Sequence, residues 1–232
     1  MLENLKKEML ELASAEKAKV SSWFFKTGKG QYGEGDVFLG LTVPEQRLIA
    51  KKYVDLPFPD IKKLLDSKYH EHRLTGLLIL VKRYEKANDE KEKKQIIDFY
   101  LKSRRAVNNW DLVDLSAPRM LGEYLYGKDK AILYKFAYSQ NLWERRIAVL
   151  ATFWFISKGK FEDSLKIAKL LVTDQHDLIH KAVGWMLREI GKRDEKELIK
   201  FLDKHYKKMP RTMLRYSIER LGEKKKKHYM KR

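Results

Sequence analysis

Seven consecutive residues, Asn108-Asn109-Trp110-Asp111-Leu112-Val113-Asp114, place a flat indole and a carboxylate four positions apart. On a helix those two side chains share one face, a turn from each other. Pro118 stands four residues beyond Asp114 and cannot donate the backbone hydrogen bond that the Asp114 carbonyl would receive, so the helix is expected to kink or end beside the carboxylate. A carboxylate next to an aromatic face at such a flaw is suited to stabilising positive charge that develops on a bound molecule. The ordinary alternative makes Trp110 a core residue, Asp111 or Asp114 a cap after a loop, and Pro118 the first residue of a new helix. The rest of the chain decides between them.

The polymer around this segment is basic. Its 232 residues carry 50 Lys plus Arg against 32 Asp plus Glu, a formal charge of +18, which favours a polyanionic partner and nucleic acid first. No apolar run has the length of a membrane span, and Met1-Leu2-Glu3-Asn4 does not open a signal peptide, so a soluble intracellular protein without a membrane partner is expected. With no cysteine, disulfides, thiolate zinc sites and cysteine nucleophiles are excluded. The six histidines fall in no metal-binding spacing, and neither a metal nor an organic cofactor is expected.

The elements that must position Trp110 and Asp114 read as helices. Leu2, Leu5, Met9 and Leu12 recur at helical spacing, and Ser14 reads as the N-cap of a second helix to about Phe25. Periodicity then stops from Lys26 to Val43, where Gly28, Gly30, Gly33, Gly35 and Gly40 mark the longest irregular stretch. This stretch has neither the Lys-Ser/Thr ending of a phosphate-binding loop nor a preceding strand, so it reads as a packed surface loop. Pro44 suits the first turn of the next helix. Further helices are expected over roughly 60–67, 69–87, 89–103, 110–126, 130–139, 142–158, 161–172, 176–191, 195–206 and 210–221, with nothing that reads as a sheet.

Short polar connections make successive helices antiparallel neighbours, in a bundle or a solenoid. An internal register favours the solenoid. Arg73, Trp110, Arg146 and Lys181 each head a buried helix and are 37, 36 and 35 residues apart, about the length of one helix pair per repeat. The expected fold is therefore all-α, a right-handed α-α superhelix with a concave basic groove, formed by residues 1–221 as a single domain. That groove gathers Arg73, Trp110, Asp114, Arg145 or Arg146, Lys181, Trp185 and Arg188, a mixture of phosphate-binding cations and flat aromatic faces. Residues 222–232, rich in lysine, offer too little apolar surface to offset the entropy of ordering and read as a disordered basic tail.

Three ordered segments carry a family resemblance: Asn109-Trp110-Asp111-Leu112-Val113-Asp114, Leu142-Trp143-Glu144-Arg145-Arg146-Ile147-Ala148-Val149-Leu150, and Ile179-His180-Lys181-Ala182-Val183-Gly184-Trp185-Met186-Leu187-Arg188-Glu189. Together with Phe38 to Arg47 they resemble the AlkD-type DNA alkylation repair glycosylases built from HEAT-like repeats, over roughly residues 23–221. The resemblance implies a monofunctional glycosylase that excises N3- and N7-alkylated purines from double-stranded DNA, acting as a cytoplasmic, nucleoid-associated monomer. It implies Trp110, Asp114, Arg146 and Trp185 as catalytic residues, with Arg145 as the other candidate for the arginine. Arg73, Arg145, Lys181 and Arg188 are the expected DNA-binding cations. A cationic purine departs neutral without a general acid, so the enzyme's main task is to stabilise an oxocarbenium-like sugar and place a water. Asp114 is expected to do this electrostatically, the two tryptophans through their π faces, and the arginine by holding a phosphate. A catalytically silent binder of bent or damaged DNA and a HEAT-type adaptor for an acidic protein are the alternatives.

Overall fold

The computed structural model describes residues 1–231, and every named element among them is helical. Packing divides the chain into two compact units, Met1–Ser116 and Ala117 onward, where its length and pattern lead one to expect a single one. Among the described residues no helix is long and apolar enough to cross a membrane.

The first unit contains α1 (Leu2–Glu11), α2 (Ala15–Phe24), α3 (Val43–Lys52), α4 (Phe58–Leu65), α5 (His70–Lys86), α6 (Glu90–Lys102) and α7 (Trp110–Ser116). Leu2, Leu5 and Met9 are buried on α1, each contributing roughly 1.5–3 kcal/mol by leaving water. Ser14 caps α2 by accepting from the Lys17 amide, and Thr42 with Glu45 forms a capping box on α3 with Pro44 in the first turn. Asp89 caps α6. Helix α5 is the centre of this unit: it packs on α3, α4, α6 and α7, and buries residues on all sides.

The glycine-rich stretch is held to the first turn of α5. Val37 forms an isolated parallel bridge with Tyr69, and the buried Glu71 carboxylate accepts from the amides of Leu39, Gly40 and Leu41 at 3.0, 2.8 and 3.3 Å. Gly40 lies at φ +87°, and a Cβ there would come within 2.2 Å of the Ser14 carbonyl oxygen, so both conformation and space require glycine.

The second unit contains α8 (Glu123–Leu125), α9 (Ala131–Ala137), α10 (Leu142–Ser157), α11 (Glu162–Leu170), α12 (Asp177–Gly191), α13 (Glu195–His205), α14 (Arg211–Ile218) and α15 (Glu223–Met230). Asn141 caps α10 and Asp194 caps α13. Gly184 lets α12 approach α14: a Cβ there would lie 2.5 Å from Tyr216 Cβ and 2.6 Å from the Met213 carbonyl oxygen.

Helix limits agree with periodicity to within three residues except in two places. The helix expected over 110–126 ends at Ser116 and is followed by a π turn, Pro118–Gly122, which is the flaw Pro118 demands. The expected disordered tail is a correction: residues 223–230 form α15. Composition alone overlooked its anchors. Tyr229 is buried, its hydroxyl donates to Asp203 at 2.7 Å, its ring meets Tyr206 edge-on at 5.3 Å, and Lys225 pairs with Glu195.

Candidate nucleic-acid site

In the first unit, α7 carries Trp110 and Asp114 as the sequence requires, both half-buried. Asn109 starts the helix, its side-chain oxygen accepting from the Trp110 amide at 2.8 Å. The Trp110 indole lies on the Phe25 ring, 5.2 Å between centroids and 17° from parallel, and Phe24 meets it edge-on at 5.8 Å. These are favourable aromatic geometries. One face of the tryptophan is thus fixed by the segment that leaves α2.

Beneath this platform lies a buried polar cluster. The His70 ring, 2% exposed, has Nδ1 3.0 Å from Asp36 Oδ2 and Nε2 2.8 Å from Asp111 Oδ2. Arg73 donates to Asp36 Oδ1 at 2.5 Å, and Asn109 Nδ2 donates to Asp36 Oδ2 at 3.1 Å. Burial by itself would lower the histidine's pKa, but the Asp111 carboxylate beside it and the bond to Asp36 raise it to about 9. Burial likewise pushes Asp36 up, and the bond from His70, the charge of Arg73 and the bond from Asn109 outweigh it, leaving the carboxyl below its usual range. The cluster is therefore an ionised Asp, His⁺ and Arg⁺ set in which each charge has a hydrogen-bonded partner.

Arg73 is accordingly a correction. Expected to meet DNA, it is 4% exposed, and besides Asp36 it donates to the carbonyls of Ser67 and Lys68 at 3.0 and 3.3 Å. Arg145 in the second unit repeats the arrangement. It donates to the Ser139 and Gln140 carbonyls, both at 3.0 Å, and to Asp174 at 2.7 Å, so its guanidinium also holds the turn before its own helix rather than a phosphate. His180 bonds the Asp174 carbonyl, again six residues back, at 2.5 Å.

These contacts reset the repeat register by one residue. The turn-holding positions are Arg73, Arg145 and His180, with Asn109 midway between the first two, giving spacings of 36, 36 and 35 (109−73, 145−109, 180−145). The next position then holds Leu74, Trp110, Arg146 and Lys181, and the one a helical turn later Leu78, Asp114, Leu150 and Trp185. Trp110 with Asp114 and Lys181 with Trp185 are thus equivalent pairs on one helix face.

In the second unit Arg146 is 5% exposed, and its Nη1 donates to the Leu178 carbonyl at 2.6 Å, which ties α10 to the first turn of α12. Trp185 is half-buried on α12 with its ring 6.0 Å from Phe153 of α10. Lys181 keeps 41% of its side chain exposed while pairing with Asp177 at 2.7 Å. Arg188 pairs with Glu219. Trp110 and Asp114 are together in one unit, Arg146 and Trp185 on packed helices of the other.

Sequence reasoning missed Asp36, His70 and Asn109. Asp36 was legible only as a polar residue between glycines, because its partners lie 34, 37 and 73 positions away. Among the described residues no group of three or more His, Asp or Glu side chains is arranged to hold a metal ion.

A family model described as "DNA alkylation repair enzyme" matches residues 5–221. No curated protein matches significantly. Among solved structures, one described as a predicted DNA alkylation repair enzyme from Enterococcus faecalis is similar with a TM-score of 0.71 and 17% identity, covering 91% of this chain and 97% of its own. At that identity the likeness concerns the fold.

Proposed function

The chain belongs to the DNA alkylation repair enzyme family, and we propose that it is a monofunctional glycosylase that hydrolyses the N-glycosidic bond of cationic N3- and N7-alkylated purines in duplex DNA. The observation that carries this reading is the Trp110 and Asp114 pair, half-buried on one face of α7, with the Trp110 indole set on the Phe25 ring. A pair so fixed is preorganised for charge that develops outside it.

The alkylated base already carries positive charge, so its bond to the sugar breaks without protonation and the electrons leave with a neutral base. Positive charge then builds on C1′ and the ring oxygen of the deoxyribose. Asp114, as a carboxylate, opposes that charge and aligns the water that ends as the new hydroxyl. Trp110 and Trp185 present π faces to the sugar, where they favour its cationic form over its neutral one. Lys181, which shares the helix face of Trp185, pairs with a phosphate, and Arg146 secures the start of α12 while lending its charge to the same backbone. The formal charge of +18 supports a duplex as the partner. The resemblance to the AlkD-type glycosylases implies cradling of the sugar and backbone with the lesion left in the stack. Action as a monomer belongs to the same proposal.

The test is single-turnover incubation with a duplex containing one N7-methylguanine, followed by cleavage at the abasic site. Wild type is expected to release the base. Asp114→Asn is expected to lose a hundred- to a thousandfold in rate, about 2.7–4 kcal/mol for one preorganised electrostatic contact. Its affinity for an uncleavable abasic analogue should hold or rise. Equal rates for the two proteins would make Asp114 a structural residue, and parallel loss of rate and binding would make it a support of the surface.

A further inference from the structure

We propose that His70 is a positioning residue for excision: as an imidazolium clamped between Asp36 and Asp111, it fixes the first turn of α7 and the aromatic platform on which Trp110 rests. This rests on the excision reading above.

The argument begins with donors and acceptors. Asp36 Oδ2 and Asp111 Oδ2 stand 3.0 and 2.8 Å from the two ring nitrogens of His70, one on each side. Carboxylates only accept, so both bonds exist together only when both nitrogens carry hydrogen, and a neutral ring would turn a lone pair toward one carboxylate. The charged groups facing the ring from the elements packed on it are Asp36 of the loop, Asp111 of α7 and Arg73 of its own helix; the cation of Arg73 opposes its charge and the two carboxylates favour it. Glu71, its neighbour on α5, is turned to the amides of residues 39–41.

Two aromatic rings, themselves stacked at 5.1 Å, extend the clamp. Phe38 stacks on it at 4.8 Å and 21°, and Phe25 lies against it at 4.8 Å and 37°. Cations are held well by aromatic faces. Phe25 in turn stacks under Trp110. From His70 two routes therefore reach the proposed reacting groups: through Asp111, adjacent to Trp110 and three residues before Asp114 on the same helix, and through Phe25 to the indole. Loss of the ring's second proton releases one carboxylate, and both routes loosen together. A displacement of about 1 Å at this distance from the chemistry is enough to cost up to a hundredfold in rate.

Two measurements on the full-length protein test this. In the first, the Trp110-dependent fluorescence, taken as wild type minus Trp110→Phe, is followed from pH 6 to pH 10 without DNA. It is expected to change with a midpoint near 9 in wild type, to be flat in His70→Gln, and to move toward the ordinary histidine range in Asp111→Asn, where a neutral ring satisfies both neighbours. A flat wild-type signal, or an unchanged midpoint in Asp111→Asn, overturns the proposal. In the second, single-turnover excision of N7-methylguanine at pH 7.5 is compared with affinity for the abasic analogue. His70→Gln is expected to excise about 10- to 100-fold more slowly with affinity within about twofold of wild type. Should His70→Gln fail to fold, His70→Asn carries the same comparison. Wild-type rates in a folded variant overturn the proposal. If wild type itself releases no base, the excision reading fails, while the fluorescence titration still decides whether His70 positions Trp110.

Discussion

The histidine clamp also has a thermodynamic signature. Its pKa rises from 6.5 to about 9 on folding, so the native state binds this proton more tightly than the unfolded chain. The stability it contributes is complete below pH 6.5, declines through the interval above, and is lost beyond about pH 9. Over that interval the contribution is roughly 3 kcal/mol, a sizeable share of the 5–15 kcal/mol that holds most domains. His72, beside it, does not interfere: burial, with Lys6 and Arg73, depresses it to about 4, so its contribution falls only as pH drops below 6.5, and that fall is common to wild type and variant. The perturbation is His70→Gln, and the assay is urea unfolding followed by circular dichroism at pH 6, 8 and 10. Because the chain has two compact units, the transition to follow is the one the substitution moves. The gap between wild type and variant is expected to shrink by roughly 3 kcal/mol from pH 6 to pH 10, about 1 to 3 M in urea midpoint for a typical slope. A gap independent of pH would refute the reasoning, because it would mean that His70 titrates alike in both states.

Binding of a 20-base-pair duplex is expected to weaken with salt at a log-log slope of roughly −4 to −5 if about five phosphates are neutralised, measurable by fluorescence anisotropy; a slope near zero removes the nucleic-acid partner. Trp185→Ala is expected to slow excision with helicity largely kept, since the indole is half-buried and Ile179, Val183 and Leu187 form the core of α12. A protein unfolded by that change would instead identify Trp185 as core, where truncation costs about 3–5 kcal/mol. Gly184→Ala is expected to destabilise by about 1–3 kcal/mol in urea despite alanine's better helix propensity, because the added methyl meets Tyr216 and a Met213 carbonyl oxygen; unchanged stability would mean α14 yields freely.

Much of this was legible in the sequence, for identifiable reasons. The helices declare themselves by period and cap, and Ser14, read as a cap, accepts from the Lys17 amide at the start of α2. Trp110 and Asp114 were legible because a spacing of four is a local fact. Arg73 and Arg145 were misread because composition does not distinguish a guanidinium that faces a phosphate from one that closes the turn before it. Those are the same donors offered to different acceptors, and only the fold says which acceptor is near. The role of Asp36 was invisible for the opposite reason: nothing local marks it, and its three partners come from distant parts of the chain. Residues 223–230 show a third limit, since one buried tyrosine with a hydroxyl partner outweighs what average composition says of a lysine run.

The glycine-rich loop has a consequence for how the chain could be divided. Its apex is exposed at Lys29 and Gly30, with open space where a Gly30 side chain would be. Both flanks are held independently: Phe25 by stacking before the apex, and Asp36 by His70, Arg73 and Asn109 after it. The first 29 residues have further grips on the remainder, through buried Leu2, Leu5 and Met9, through Glu8 to Lys52 and Tyr53, and through the Ser14 amide to the Leu39 carbonyl. Severing the backbone after Lys29 therefore leaves a peptide whose attachments are all noncovalent and already complete. A cut there is expected to leave the two fragments associated, with residues 1–29 still supplying the support under Trp110.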